Sequence, residues 1–315
     1  MADALVEPTR EQRADRARRR RRFDPMPLLL LGPALALIVG LLLYPLLDTL
    51  WLSLHEVSLR GLVTGELPWT GIHNFVTLVQ DGFFWQVFRN TVGLAIACVA
   101  LTMVLGTLVA LLMDRLPAWA RVLLSLAVLV PWATPKVAAT IVWKWIFDDQ
   151  NGVLNWALSS VGLQQFLHFN WFIDPLRAFA VITVLIVWQS FPFVALSMYA
   201  GLQTVPGEVL EASRVDGASP WRVFWSIKVP LLRPVIAVLL ILSTIWDFKV
   251  FSQVYVMTGG GPARSTYVIG LYSYLTSFRS HDFGMGAALA VVMLVVLLLV
   301  TGAYIRAMFR QGELR

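Results

Sequence analysis

The sequence predicts an all-α integral membrane protein with six transmembrane helices and a long helical loop between the fourth and the fifth. Its 315 residues are 58% apolar and 14% charged, with a mean hydropathy of +0.71. Soluble domains average about 45–50% apolar and about 25% charged residues. Long apolar runs recur along the chain, and basic residues cluster in alternate connections between them. Lipid must therefore solvate much of the protein.

The six spans are predicted from apolar runs of about 20 residues, the length that crosses a bilayer as a helix. Four runs contain no Lys, Arg, Asp or Glu: residues 27–47, 90–113, 178–202 and 283–305. Two weaker runs cover residues 122–147 and 234–257. Lys136 and Lys144 interrupt the first of these, and Asp247 and Lys249 interrupt the second.

The distribution of basic residues predicts which side of the membrane each connection faces. With six spans both termini share a side, and that side receives 17 of the 25 basic residues, including eight arginines before residue 23. The opposite side receives 7, and Lys136 lies within a span. By the positive-inside rule the termini are expected on the cytoplasmic side. The protein is expected in the plasma (cytoplasmic) membrane. The predicted organisation is a basic cytoplasmic arm at 1–26, a transmembrane domain at 27–309 and a cytoplasmic tail at 310–315.

Several kinds of chemistry have no motif in the sequence. None of the four lysines follows a glycine, so the GxxxxGK[ST] loop of ATP-hydrolysing domains is missing. The histidines His55, His73, His168 and His281 lack metal-ligand spacing, and we interpret them as solvated loop residues. The single cysteine, Cys98, excludes an intrachain disulfide. The arginine arm is attributed to topology and anionic lipid rather than to nucleic acid, because no aromatic residue is interleaved with it.

The connection after the fourth span, residues 204–232, is predicted to form two short helices. Pro206 suits a helix start, and Gly217 suits a left-handed cap at its end. Ser219 and Pro220 then restart a helix that carries an aromatic stripe, which Pro230 and Pro234 are expected to end. On pattern alone, the pair could lie on the membrane surface or dock to a partner protein.

The residue order in this loop resembles that of permease subunits of binding-protein-dependent ABC importers. The family signature is EAA, three residues, G, nine residues, then I-x-L-P; the chain has Glu211, Ala212, Ser213, Gly217 and then Ile227 to Pro230. The likeness is greatest to the maltose permease F-like sugar-importer branch. It is supported by VPWATP in the third span, WQSFPF in the fourth and TGGGP after the fifth.

The resemblance implies that residues 204–232 are a cytoplasmic coupling-helix loop that docks to a separate ATPase. The coupling residues it implies are Glu211, Ala212, Ser213, Asp216, Gly217, Ile227 and Pro230. The chain itself would be non-catalytic and hold no cofactor, since ATP and Mg²⁺ belong to the partner ATPase. The other partners implied are a second permease subunit, two copies of the ATPase, an extracytoplasmic sugar-binding protein, membrane lipid and the sugar.

The same resemblance assigns a substrate pathway to the fourth and fifth spans. Hydroxyl-bonding groups beside aromatic rings suit a sugar, because pyranoses have an apolar face and a polar rim. The pathway residues are Trp188, Gln189, Ser190, Phe193, Ser243, Trp246, Asp247, Lys249 and Phe251. Asp247 and Lys249 are two positions apart and share no helix face, so they are not expected to pair with each other. Three explanations for charged residues in this span stay open: a nearby helix break, a water-filled cavity, or a position at the membrane interface.

The function implied is half of the translocation pathway of an ATP-driven importer, carrying a di- or oligosaccharide. One alternative is an importer of glycerol phosphodiesters, which would call for cationic residues along the cleft; only Lys136 and Lys249 are candidates. Another is an ion-coupled secondary transporter, which requires an inverted repeat and midplane carboxylates, of which only Asp247 is available.

Overall fold

A computed structural model describes residues 26–310, and this part of the chain is helical and contains no strand. It divides into two units, of which the first ends at Trp51 and the second begins at Leu52. The α-helices are Met26–Ile38, Tyr44–Leu52, Leu59–Thr64, His73–Gln80, Gly82–Arg115, Ala118–Ala133, Lys136–Ile146, Val153–Ser160, Pro175–Leu202, Gly207–Val215, Pro220–Val223, Val229–Leu231, Arg233–Phe248, Ser252–Thr258, Ile269–Phe278 and Phe283–Arg310. Val39–Leu43 and Phe224–Lys228 are π-helical, and Gln164–Phe166 is a 3₁₀ turn.

Four helices are long and apolar enough to cross a membrane, and six candidates result if each of two bent helix pairs counts as one span. The four are Leu29–Leu52, Gly82–Arg115, Pro175–Leu202 and Phe283–Met308. They contain the four charge-free runs of the sequence, except that the first candidate span begins at Leu29, two residues into its run. The arm before residue 26 and the tail after residue 310 lie outside the described residues.

The second and fourth spans, Gly82–Arg115 and Pro175–Leu202, form the centre of the second unit. Gly106 permits their close approach, because a Cβ there would lie 2.6 Å from Cγ1 of Val194. Cys98 is fully buried in the same core, as its position in an apolar run predicted. A second apolar cluster, around Met198 and Leu239, brings the fifth span against this pair.

The third span is not one helix, contrary to the prediction for residues 122–147. It is a pair, Ala118–Ala133 and Lys136–Ile146, bent by 95°. Thr134 is extended at the bend, with φ −73° and ψ 128°, because Pro135 disfavours the helical conformation of the residue before it. The charge interruption at Lys136 therefore coincides with a real break in the backbone.

The fifth span is also shorter than the predicted run of residues 234–257. Its helix, Arg233–Phe248, ends directly after Asp247, and a separate short helix, Ser252–Thr258, follows. Lys249 to Phe251 form the break between them. Of the explanations left open for Asp247 and Lys249, the nearby break is confirmed.

The loop after the fourth span contains the two predicted helical segments, with one correction. Ser219 caps the second segment, since its side chain accepts a hydrogen bond from the Arg222 amide at 3.3 Å, and Pro220 follows in the first turn. Pro230 does not end this segment, because a π-helical stretch, Phe224–Lys228, precedes it and the helix continues to Leu231. In a π-helical turn the hydrogen bonds join residues five apart instead of four, so the pairing of the carbonyls shifts. Pro230, which has no N–H to donate, is accommodated after this shift.

Candidate functional site

The first helix of the loop, Gly207–Val215, presents the signature residues at an exposed, well-capped end. Glu211 and Ala212 are exposed, whereas Ser213 is buried and its hydroxyl donates to the Leu210 carbonyl at 2.7 Å. The amide of Ala218 donates to the Ser213 carbonyl at 3.0 Å. This bond pattern is a Schellman cap, and it satisfies carbonyls that the helix end would otherwise leave unpaired.

Gly217 supplies the conformation that this cap requires. Its φ is +73°, in the left-handed region, and Asp216 just before it is exposed. A Cβ at Gly217 would meet no heavy atom within 4 Å. The backbone angle rather than crowding therefore explains the glycine.

The second segment of the loop exposes aromatic side chains. Trp221 and Trp225 are both exposed, and their rings pack edge to face with centroids 5.6 Å apart. Ile227 and Pro230 are half-buried. The predicted aromatic stripe thus exists, and its outer face is available to lipid or to another protein.

Three predicted polar pathway residues of the fourth and fifth spans are buried, and together with Gln253 they are called the polar layer below. Gln189, Ser243 and Asp247 are 7%, 3% and 3% exposed. Gln253, which no sequence pattern singled out, is also buried and its amide donates to Oε1 of Gln189 at 3.1 Å. Gln189 Nε2 and Asp247 Oδ2 are buried without a hydrogen-bond partner among the described residues. Unsatisfied groups of this kind are costly, which marks the layer as a functional candidate.

The charge that acts on Asp247 comes from Lys136 rather than from Lys249. Lys136 begins the second half of the bent third span and lies close enough to Asp247 for an electrostatic interaction. Lys249 is exposed in the break after the fifth-span helix. Lys136 is exposed as well, so the two lysines are alike in exposure and differ in that Lys136 acts electrostatically on Asp247.

The aromatic pathway residues make three separate ring contacts. Phe193 and Trp246 are half-buried and contact each other edge to face, with centroids 5.0 Å apart. Trp188 instead packs against Trp143, with centroids 5.6 Å apart, as part of the main apolar core. Phe251 stacks on Tyr255 beyond the break, at 5.4 Å. Ser190, which lies between Trp188 and Phe193 in the sequence, is half-buried.

The TGGGP segment after the fifth span is held in a defined shape. Its Gly260 has φ +90° and faces the ring of Tyr267, where a Cβ would clash. The Asn90 amide, near the start of the second span, donates to the carbonyls of Ser265 and Tyr267 at 2.8 and 3.0 Å. The guanidinium of Arg264 lies 3.7 Å from the centroid of the Phe83 ring.

A second rigid loop follows the third span. Asn155 is buried and its amide donates to the Phe169 carbonyl at 2.9 Å, while the Trp171 indole donates to Asn155 Oδ1 at 2.8 Å. Trp171 is therefore a structural residue of this loop. Gly152 is required nearby because a Cβ would clash with the backbone of Asp148.

No group of three or more His, Cys, Asp or Glu side chains suited to a metal occurs within residues 26–310. One histidine differs from the expectation of a solvated loop residue: His55 is buried and packs edge to face on Trp69, with centroids 4.9 Å apart. His73, His168 and His281 are exposed as expected.

Residues 106–310 match the family described as binding-protein-dependent transport system inner membrane component, and the chain belongs to this family. It is thus an inner-membrane permease component of an ABC transport system, as the loop signature implied.

Similar proteins include sugar-transport permeases. The chain is 40% identical to the diacetylchitobiose uptake system permease protein DasB of Streptomyces coelicolor, covering 91% of this chain and 88% of that protein. It is 36% identical to the sulfoquinovosyl glycerol transport system permease protein SmoG of Agrobacterium fabrum, covering 89% of each. It is 35% identical to the trehalose/maltose transport system permease protein MalF of Thermococcus litoralis, covering 88% of this chain and 92% of that protein.

Among solved structures, a chain of a bacterial ABC transporter involved in import of the acidic polysaccharide alginate has a similar fold. The TM-score is 0.79 at 21% identity, covering 94% of this chain and 99% of that chain. At this identity the match supports the fold alone.

Proposed function

We propose that this protein is one of two permease subunits of an ATP-driven importer for a di- or oligosaccharide. The observation that carries the proposal is the exposed, capped helix Gly207–Val215, which presents Glu211 and Ala212 in the family's order. The similarity to permeases named for diacetylchitobiose and for trehalose/maltose supports a sugar as the substrate.

In this proposal the loop of residues 204–232 faces the cytoplasm and docks to a separate ATPase, of which two copies serve the assembly. Glu211, Ala212 and Asp216 are exposed and form the contact, whereas buried Ser213 and the turn at Gly217 set its shape. Ile227 and Pro230 lie on the second segment, which returns the chain to the membrane. ATP and Mg²⁺ bind to the ATPase, so this chain is non-catalytic and carries no cofactor.

The transmembrane domain, residues 27–309, forms half of the substrate pathway, and a second permease subunit completes it. A groove of about 330 Å³ beside Phe193 is lined by Ser197 and otherwise by apolar residues, including Val235 and Leu239, and does not contain the polar layer. A sugar needs polar partners, so this groove is a poor sugar site. Phe193 and Trp246 offer a ring platform, and Gln189, Ser243 and Asp247 offer hydrogen-bonding groups once the layer opens.

Delivery of the sugar is assigned to an extracytoplasmic binding protein. The TGGGP segment and the loop around Trp171 are suited to contact it, because both are rigid and neither connects directly to the proposed cytoplasmic loop. A rigid surface loses little conformational entropy when a partner docks.

An uptake assay tests the proposal. Cells lacking this chain, with and without a plasmid that restores it, are given labelled diacetylchitobiose, trehalose, maltose and sulfoquinovosyl glycerol. Uptake of a neutral sugar that depends on the chain and on ATP supports the proposal, and co-purification with an ATP-hydrolysing subunit supports the docking of the loop. Uptake of the anionic compound alone favours an anion importer, for which exposed Lys249 is the candidate contact; transport by the purified chain alone contradicts the proposal.

A further inference from the structure

One carboxylate holds both ends of the loop that carries the signature helix. Asp114 Oδ1 accepts a hydrogen bond from Gln203 Nε2 at 3.1 Å, and Asp114 Oδ2 accepts one from Lys228 Nζ at 2.9 Å. Gln203 directly follows the fourth span, and Lys228 ends the π-helical stretch on the returning side. The segment between them therefore projects from a closed base, and the carboxylate that closes it belongs to the second span.

Asp114 occupies an unfavourable position for an acidic residue. It lies next to the last residue of the helix Gly82–Arg115, where the partial negative charge of the helix end repels a carboxylate. Lys228 supplies the opposite charge, and the ion pair is partly buried, with side chains 16% and 28% exposed for Lys228 and Asp114. The end of the helix disfavours an aspartate at this position. The favourable interactions of Asp114 are therefore its contacts with Gln203 and Lys228 in other parts of the fold.

Neighbouring contacts make this base stiff. Arg121, in the third span, donates from Nε to the Met113 carbonyl at 3.0 Å and from Nη2 to the Leu116 carbonyl at 2.9 Å. Its guanidinium lies 5.4 Å from the centroid of the Tyr199 ring in the fourth span. The end of the second span is thus tied to the third and the fourth.

Close packing secures the returning side of the loop. Leu232 is fully buried against the fourth span, and a Cβ on Gly201 would lie 2.9 Å from its Cδ2. A push on Gly207–Val215 is therefore met at both loop ends by groups that belong to transmembrane helices.

We propose that Asp114 is a positioning residue that transmits the movement of the loop to the second and fourth spans. The inference rests on the proposed function, because it assumes that an ATPase moves the loop. Without the carboxylate, residues on either side of Gln203 and Lys228 can bend, and the loop moves without the spans. The ion pair keeps partial exposure and the apolar contacts of buried Leu232 remain in its absence, so the loss falls on transmission more than on folding.

The test compares single and reciprocal variants in the intact importer assembly in nanodiscs, with this chain, the second permease and the ATPase. The single variants are Asp114→Asn and Lys228→Met, and the double variant Asp114→Lys with Lys228→Asp restores an ion pair of reversed polarity. Arg115→Gln is the matched control, since it removes a charge from the adjacent exposed residue. Hydrogen exchange is followed at residues 249–267 on the far side of the fifth span, with and without ATP and vanadate, together with ATP hydrolysis and thermal stability.

The wild type and Arg115→Gln are expected to show an ATP-dependent change in exchange at residues 249–267. Both single variants lose this change while they still bind the ATPase, hydrolyse ATP and melt at the wild-type temperature. The double variant regains at least part of it. A merely structural role would lower the melting temperature instead and leave the ATP-dependent change in the folded fraction.

Retention of the change in both single variants overturns the inference and leaves the proposed function intact. A double variant no better than the singles overturns it as well, because the ion pair would then not be the transmitting contact. If the ATPase fails to bind even the wild-type chain, or ATP causes no change there, the proposed function fails and the inference fails with it.

Discussion

At Gly217 the backbone conformation selects the residue, since its φ is +73° and the space around it is open. Alanine there places a Cβ in the left-handed region at a cost of about 1–2 kcal/mol, whereas asparagine tolerates that region. Proline, with φ locked near −65°, is incompatible with the turn.

We therefore expect Gly217→Asn to keep ATP-coupled uptake, and Gly217→Pro to abolish it while the chain still inserts in the membrane. Glu211→Lys, which leaves the turn intact and reverses the exposed charge, is expected to abolish coupling as well. Uptake and ATP hydrolysis are measured on the same preparations. Normal uptake by Gly217→Pro and by Glu211→Lys would contradict the role assigned to the loop.

Asp247 is a second residue at which a single substitution tests function. Asp247→Asn keeps the shape of the residue and removes the buried carboxyl group on which Lys136 acts electrostatically. We expect uptake of the transported sugar to fall severalfold with little change in the amount of assembled protein. Glu66→Gln is the control, because it makes the same change from carboxylate to amide at an exposed residue outside the pathway. Equal losses in the two variants would remove Asp247 from the pathway.

Among the elements, the TGGGP segment depends on a neighbour that is distant in sequence. Asn90→Ala removes two hydrogen bonds to the carbonyls of Ser265 and Tyr267. Each typically contributes about 0.5–1.5 kcal/mol, so the segment should loosen while the spans remain folded.

Limited proteolysis of residues 259–267 is expected to accelerate in Asn90→Ala, and stimulation of ATP hydrolysis by the binding protein should weaken. Arg89→Gln, at the adjacent exposed position, should change neither. Unchanged stimulation alongside faster cleavage would show that this segment is not the docking surface.

At the scale of the whole molecule, the close approach of the second and fourth spans organises the second unit. Gly106→Val would force a side chain into Val194, and overpacking of this kind typically costs about 1–3 kcal/mol. Gly93→Val is the matched control on the same helix, because a Cβ there meets no heavy atom within 4 Å. We expect a lower melting temperature in detergent for Gly106→Val only; similar values for both would contradict the close approach of the two helices at Gly106.

The orientation of the protein in the membrane is tested with single cysteines. Cys98 is buried and should stay unreactive. Arg222→Cys, in the loop after the fourth span, should react with a membrane-impermeant maleimide only in inside-out vesicles. Gln150→Cys, in the loop after the third span, should react from the outside; the reverse pattern would invert the proposed topology.

Local sequence was sufficient for the membrane class, four of the spans and the two segments of the loop. Runs such as residues 90–113 lack charges altogether, so their need for lipid is independent of the rest of the fold. The cap at Ser219 and the turn at Gly217 are equally local, because each depends on the conformation of one or two residues. Assignment of the loop to an ATPase required its residue order as well, since amphipathic pattern alone also suits a membrane surface.

Tertiary structure decided which distant side chains meet. Asp114 and Lys228 are 114 positions apart, and Gln253 pairs with Gln189 across two helices. No periodicity records such pairs, because periodicity reports the face of a helix and not the neighbour that covers it. The bend of the third span and the passage of Pro230 through a π-turn also depended on the surrounding backbone. The sequence by itself therefore determined that lipid surrounds the protein and where most of its helices form. The packing of those helices determined which residues meet in the polar layer and at the base of the loop.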